Sequence, residues 1–392
     1  MLKLKTVLKR PGHPWVYSNE LVSMPQFQGF CPLYDTKDRF VAHGWMNYRA
    51  LIAFRIGSRD PQDIDHDALV RRSLERAIAL RAGMQGSYRL VFGESDRLPG
   101  LVIDRYSYEN SVVHVVQLHT YASELMLPIV REVLGEPMIV RRDIGVRELE
   151  GMAKKETEVF GELPKGPFFV MHDERELMAF ESDLVSGQKT GFFLDQAAAI
   201  AQFGRLARKL PFEHVRVLDL CTHVGQWSAH LAKFLDRSIT CIAVDSSASA
   251  LEYAALNIER QLAPLRERGH QAELQCIQHD VMRLDELKIP PCDIVIIDPP
   301  SFIKSKKNIV TGLKGYEKVN ALAVKKLSPQ GLFATCSCSR HVSGDEFYAL
   351  LGRAALPIAW IGQSMQARDH FVLSSFPESR YLKVAFGVRC DS

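Results

Sequence analysis

The chain has 392 residues, and 49 Lys+Arg against 46 Asp+Glu leave a formal charge of +3, which excludes a protein held to its partners by bulk charge. Its 46% hydrophobic and 24% charged residues match ordinary globular usage, and no stretch reaches the roughly 18 uninterrupted apolar residues of a membrane span. Single cores stop growing near about 250 to 300 residues, so two or three domains are expected.

Residues 1–60 carry short strand-like runs broken by Gly and Pro, at 15–17, 40–42 and 50–55, and predict a small β-rich module. The polar stretch 60–65, with Pro61, precedes apolar positions at helical spacing over 68–82, and the first boundary falls there. Strand-like runs return at 88–92, 100–104 and 111–118, followed by a helix over 122–134, which describes an α+β unit ending near Phe180. Beyond Gly187 strands and helices alternate in the order of a parallel α/β sheet, with strands at 215–220, 239–245, 274–279, 294–298 and 332–337 and helices at 227–235, 248–261 and 316–327. The expected division is 1–70, 71–180 and 181–392.

The N-terminal residues include Lys3, Lys5, Lys9 and Arg10 but no apolar leader core, which predicts a cytoplasmic protein with no membrane partner. Seven of the eight cysteines lie beyond residue 220 and none forms a CxxC pair, so reduced thiols are expected. Cys336, Cys338 and His341 lack a second ligand cluster at zinc-site spacing, and no metal is expected.

Ligands of open parallel sheets sit at the carboxyl ends of the strands. Here those ends carry Asp219, Asp245, Asp280 and Asp298, four carboxylates of the wrong sign for a pyrophosphate. The first loop holds a single glycine, Gly225, where a dinucleotide fold needs GxGxxG. Asp245, 20 residues beyond Gly225, suits the two hydroxyls of an adenosine ribose. S-adenosylmethionine has that ribose together with an ammonium and a sulfonium and lacks phosphate, which makes it the better match. Taken singly, each acid also fits a plain helix cap or turn.

Several segments resemble the ribosomal RNA large-subunit methyltransferase I family. They are Gly187-Gln188-Lys189-Thr190-Gly191-Phe192-Phe193-Leu194-Asp195-Gln196, the Asp219 loop, Asp298-Pro299-Pro300-Ser301-Phe302, Gly315-Tyr316 and Thr335-Cys336-Ser337-Cys338-Ser339. Gly12-His13-Pro14-Trp15 resembles the start of that family's RNA-binding PUA domain, Phe92 to Tyr106 its central domain, and Phe376-Pro377-Glu378-Ser379-Arg380-Tyr381-Leu382-Lys383 its ending. The resemblance covers nearly the whole chain. It implies a PUA domain, a central α+β domain and a class I methyltransferase domain with a mostly parallel seven-stranded sheet. It also implies S-adenosylmethionine as cofactor, ribosomal RNA as partner, 5-methylcytosine as product, and allows a homodimer. Lys189 and Phe193 join Asp219, Gly225, Asp245, Asp280 and Asp298 as expected cofactor residues. The family usually carries a Gly pair after an aromatic in the first loop, where this chain has His223 and Gly225-Gln226, adding a β-carbon and an amide next to the methionine part of the cofactor.

Carbon 5 of cytosine is a poor nucleophile until a thiol adds to carbon 6 and turns the ring into an enamine. Cys338, nearer the carboxyl end of its strand and matching the family motif's second cysteine, is the expected nucleophile, with Cys336 packed inward. Asp298, stiffened by two prolines, is placed to hydrogen-bond cytosine N3 when it is protonated or shares a proton. Related enzymes that release product with a cysteine after Asp-Pro-Pro differ from this chain, which has Ser301 there. Lys304, Lys306 and Lys307, with Lys314 close behind, and Tyr316 are the expected RNA residues. The base must be unpaired or flipped to reach such a thiol. Trp15 is assigned to core packing. Two alternatives remain open: an RNA base N-methyltransferase, for instance on guanine, which needs no covalent cysteine, and a catalytically weak RNA-binding or ribosome-assembly protein.

Overall fold

The computed structural model describes residues 1–8, 10–173, 176–303, 306–354 and 357–390, which form two compact units. The first comprises residues 1–171, 183–194 and 368–379, and the second 172–182, 195–367 and 380–392. Two stretches inside the expected third domain, 183–194 and 368–379, thus group with the first unit.

The first unit opens with β1 (Leu2–Lys3), β2 (Trp15–Val16), β3 (Gln28–Tyr34), β4 (Phe40–Asn47) and β5 (Phe54–Ser58), a five-stranded sheet in the order β1-β3-β4-β5-β2. The run expected as a strand at 50–55 starts late. Ala50 N–H bonds back to the Asn47 carbonyl at 3.2 Å and Arg49 N–H to the Asn47 side chain at 3.1 Å, so its first residues make the β4–β5 turn. In α1 (His66–Leu80), Asp65 caps the amides of Asp67 and Ala68, while Leu69, Val70, Leu74 and Ala77 bury one stripe. A second sheet follows, with β6 (Tyr88–Phe92), β7 (Leu101–Ser107), β8 (Val112–Leu118), α2 (Tyr121–Leu134), β9 (Met138–Arg141), β10 (Glu158–Phe160) and β11 (Phe168–Asp173). The stripes of α1 and α2 share one core with alternate residues of this sheet, including Leu90, Ile103, Val116 and Val140. Strand β9, Pro-flanked and four residues long, and the short β10 were missed by period-2 reading.

The second unit starts with β12 (Glu176–Phe180) and α3 (Ala197–Ala207), then β13 (His214–Leu220), α4 (Gln226–Leu235), β14 (Ser238–Asp245), α5 (Ala248–Glu267), β15 (Ala272–Gln278) and β16 (Cys292–Ile297). It ends with α6 (Ile309–Val324), β17 (Leu327–Ser337), α7 (Gly344–Arg353), β18 (Ile358–Ser364) and β19 (Lys383–Arg389). The seven-stranded sheet runs β15-β14-β13-β16-β17-β19-β18, parallel from β15 to β17, with β19 antiparallel to both its neighbours. This is the mostly parallel α/β sheet that the strand–helix alternation predicts. Its central strands read as continuous apolar runs because both faces are covered. After β15 the chain returns to the far side of β13, so the strand order reverses between β13 and β16, where such sheets bind ligands. Helix α6 begins at Ile309, seven residues before the expected start at 316, because Gly312 and Gly315 masked the helical pattern. Among the described residues no helix is long and apolar enough to cross a membrane.

Candidate functional site

Asp219, the last residue but one of β13, is fully buried. Its Oδ2 accepts bonds from Thr222 Oγ1 at 2.8 Å, Ser228 Oγ at 2.8 Å and Ser228 N–H at 3.2 Å, while Oδ1 has no partner among the described residues. Burial pushes its pKa up to about 6, against the pull of those hydrogen bonds. Beyond it the chain turns sharply, with Cys221 at φ 58° and His223 at φ 51°, left-handed values that cost a side-chain-bearing residue energy. Gly225 follows at φ 76°, and a β-carbon there would meet Ala254 Cα at 3.0 Å and Ile258 Cγ1 at 2.9 Å. One glycine suffices because only this residue meets both constraints, a left-handed turn and the close approach of α5. Gln226, first residue of α4, is buried and its Oε1 has no partner among the described residues.

Asp245 ends β14, and its two oxygens accept the His223 and Ser247 amides, each at 2.9 Å, so it shapes the Asp219 loop while leaving further lone pairs. Asp280, exposed beyond β15, caps a 3-10 turn by accepting the Met282 amide at 2.9 Å. Asp298, half-buried after β16, accepts from Gln196 Nε2, and Trp227 Nε1 donates to Gln196 Oε1 at 2.6 Å. Gln196 therefore fixes the direction of the Asp298 carboxylate and is itself fixed by Trp227. Sequence reasoning gave neither residue a role, although Gln196 closes the family-like string that begins at Gly187.

Strands β16 and β17 pair in parallel with Ile297 opposite Thr335, so Asp298 and Cys338 leave adjacent strands at the same rim. Cys336 is fully buried, and burial followed by the charge of Asp298 holds its thiol well above the ordinary value. Cys221 is held up in the same way, first by burial and then by Asp245. Cys338, the first residue past β17, is half-buried. Opposite Ser337, the residue before it, stands one that the sequence offered only as the last of the string resembling the family's ending, with no role attached. Lys383 begins β19 opposite Ser337, is 8% exposed, and donates to the carbonyls of Ser339, Val342 (2.9 Å) and Tyr381 (2.8 Å).

Lys307 and Lys314 are exposed on the segment that leads from Asp298 into α6, whereas Lys304 and the Lys306 side chain lie outside the described residues. Tyr316 is buried, its ring edge-on to Phe302 at 4.9 Å, which leaves no face of it for a nucleotide in this structure. It instead backs the Ser301–Phe302 loop. At the N-terminus Lys3 pairs with Asp38 and Arg10 with Glu378 at 3.1 Å, while Lys9 lies outside the described residues. Trp15 is half-buried, donates to Glu94 at 2.7 Å and packs edge-on against Phe376 at 4.8 Å.

Lys189 and Phe193 belong to the first unit, on the segment 183–194. Lys189 sits at φ 51° with its ammonium 4.2 Å from the Phe193 ring centroid, and its carbonyl accepts from Gln117 Nε2 at 2.7 Å. Thr190 donates to Asp104 at 2.5 Å, and its carbonyl accepts from Tyr106 at 3.0 Å, which pins the loop from below.

Within the second unit the acceptor set suits an adenosyl group carrying an ammonium. The bare Asp219 Oδ1 and Gln226 Oε1 are acceptors awaiting N–H or O–H groups.

A family model for a PUA-like domain matches residues 8–59. Over 97% of the chain the sequence is 30% identical to Ribosomal RNA large subunit methyltransferase I of Salmonella paratyphi A, of which 94% is covered. It is 29% identical over 97% of the chain to the protein of the same name from Escherichia coli O127:H6, with 95% of that protein covered. The fold matches that of a SAM-dependent methyltransferase from Streptococcus mutans with a TM-score of 0.75 at 17% identity, over 99% of this chain and 100% of the other. A second methyltransferase structure, solved with SAH, gives a TM-score of 0.72 at 16% identity over 96% of each chain.

Proposed function

The chain belongs to the ribosomal RNA large subunit methyltransferase I family, and on that footing we propose that it forms 5-methylcytosine in large-subunit ribosomal RNA through a transient bond from Cys338 to the base. The observation that carries this reading is the exit of Asp298 and Cys338 from neighbouring parallel strands at one rim, beside the Asp219 loop.

S-adenosylmethionine, the cofactor, supplies an electrophilic methyl group on a sulfonium. Asp219 and Gln226 offer their bare oxygens to its ammonium end, and Asp245 and Asp280 keep lone pairs for the ribose and adenine. Lys189 and Phe193 complete the expected set. Cys338 adds through sulfur to carbon 6 of the cytosine, and the electron pair displaced from the 5,6 double bond makes carbon 5 nucleophilic. Asp298, aimed by Gln196, acts in its protonated form: it donates its proton in a hydrogen bond to N3 and stabilises the negative charge that builds there during addition. After methyl transfer carbon 5 loses its proton to a base, the double bond re-forms and Cys338 leaves as thiolate. Ser301 donates to the Ile303 carbonyl at 3.2 Å and so serves the loop in place of a releasing thiol. Lys307 and Lys314 contact RNA phosphates at the mouth, and the PUA-like sheet holds RNA at a second place.

The deciding experiment uses the Cys338→Ser variant with ribosomal RNA and labelled cofactor. Methylation should fall at least 1,000-fold, and the wild-type chain should form an adduct with 5-fluorocytosine-containing RNA through residue 338. Full activity of the variant would refute the covalent route and leave N-methylation as the reading. Calorimetry that finds RNA affinity without binding of S-adenosylmethionine would favour an assembly factor.

A further inference from the structure

The mechanism above makes no use of Lys383, and its setting is unusual for a lysine. The side chain is 8% exposed, all three ammonium hydrogens are directed at carbonyl oxygens, and among the described residues no carboxylate lies within ion-pair distance. Buried cations are normally paired, because an uncompensated charge in the interior is costly. Two of the three carbonyls, those of Ser339 and Val342, belong to the loop that directly follows Cys338, and antiparallel pairing sets Lys383 opposite Ser337, the residue before it. Cys338 is thus held between a strand partner and a loop that the same ammonium ties down.

We propose that Lys383 is the positioning residue of the nucleophile: it pins the 339–342 loop that follows Cys338 and brings to the end of β17 a positive charge that favours the thiolate. This rests on the covalent reading of Cys338. A thiolate is both the attacking and the leaving form, so the same cation assists addition to carbon 6 and the final departure of sulfur, with no net change in its own protonation.

Among the described residues, several further groups surround Cys338 and Lys383. Tyr316 from α6, buried and neutral, interacts with Cys338, as does the buried Cys336 thiol of β17, which in turn feels Asp298 of the β16 rim. From α7, Glu346 acts on Lys383 at longer range, and its carboxylate is already engaged by Ser343 at 2.7 and 2.8 Å. Arg340 is exposed and lies over the Tyr381 ring at 6.0 Å. His341, in the same loop, donates its backbone amide to Ser339 Oγ at 3.4 Å. Burial lowers the Lys383 pKa to about 8, with Cys338 and Glu346 pulling it back up, so the cation persists at neutral pH and is lost above it.

The test follows alkylation of Cys338 by iodoacetamide between pH 5.5 and 9.5 in the full chain, read on the residue-338 peptide by mass spectrometry and needing no methyl transfer. In the wild type the thiol should titrate below the roughly 8.5 of a free cysteine. Lys383→Met, which keeps the length and removes the charge, should move the profile up by at least a unit and slow labelling at pH 7 about tenfold. Identical profiles in the wild type and the folded variant overturn the proposal. If the methionine variant does not fold, the wild-type profile decides: a thiol titrating at or above free cysteine overturns it, and one below upholds it. Failure of the underlying reading looks different, since Cys338→Ser would then methylate normally whatever the thiol titration shows.

Discussion

Among the described residues the six buried arginines of the first unit all face carboxylates: Arg55 meets Glu94 and Glu150, Arg81 meets Asp96, Arg89 meets Asp104, Arg141 meets Asp143, Arg142 meets Glu124 and Glu158, and Arg147 meets Glu124. In the second unit Asp219 is buried with hydroxyl and amide partners alone, and Lys383 with carbonyls alone. The arginines, Asp219 and Lys383 are all dehydrated, but only the arginines are neutralised within the fold. Guanidinium–carboxylate forks lock backbone segments together and leave nothing over for a ligand. Unneutralised charge is costly to bury and persists where another charge arrives during function. The contrast separates scaffold from site on electrostatic grounds.

The largest expected effect tests the scaffold half. Arg81→Met strands the Asp96 carboxylate, which also accepts the Phe92 amide at 2.6 Å, in a fully buried place. Breaking such a pair costs about 3 to 5 kcal/mol, measured as a lower urea midpoint for the first unit. Calorimetric affinity of the folded variant for S-adenosylmethionine should be unchanged. A loss under 1 kcal/mol, or a matching loss of cofactor affinity, would break the comparison.

Asp219→Asn tests the other half and should do less to stability. An acid whose folded pKa, about 6, lies above its unfolded value near 4 binds its proton more tightly in the folded state. Its favourable contribution is present below about pH 4 and is lost as the pH rises to 6, on the order of 3 kcal/mol in all. Thermal melts between pH 4 and 7 should show that decline in the wild type and a flat difference for the asparagine variant. The same variant should bind S-adenosylmethionine at least tenfold more weakly at pH 7.5. A variant with the wild-type pH profile would remove Asp219 from the class of poised charges.

Much of this was legible in the sequence, for identifiable reasons. The parallel sheet announced itself because its central strands β13, β14 and β16, covered on both faces, are largely apolar runs with an acid at their carboxyl ends, as at Leu218-Asp219-Leu220 and Ile296-Ile297-Asp298. Family strings led to Lys189, Asp298 and Cys338. What stayed hidden depends on long-range pairing. Lys383 reads as an ordinary lysine before a strand until antiparallel pairing sets it against Ser337, 46 positions earlier. Gln196 gains its meaning only from Asp298 and Trp227. Asp280 was legible in both of its readings: it follows a strand at the rim, and like each of the four acids it also fits a plain cap, which it makes with the Met282 amide. Tyr316, quoted with Gly315 in the family resemblance and expected as an RNA residue, is turned by helical spacing into the core with Val319 and Asn320.

A third kind of charge gives the smallest and most diagnostic effect. Lys307 and Lys314 are exposed, so water already compensates them and neither pairing nor poise is at issue. Their removal should leave stability within about 0.5 kcal/mol. If they contact phosphates, each released counterion contributes about 0.7 to the slope of log affinity against log salt for a single strand. The double alanine variant should therefore flatten that slope by about 1.4 and weaken RNA binding several-fold at 100 mM salt, while 5-fluorocytosine trapping by RNA-saturated enzyme stays at wild-type yield. An unchanged slope would place the RNA path elsewhere and return both lysines to plain solvated surface.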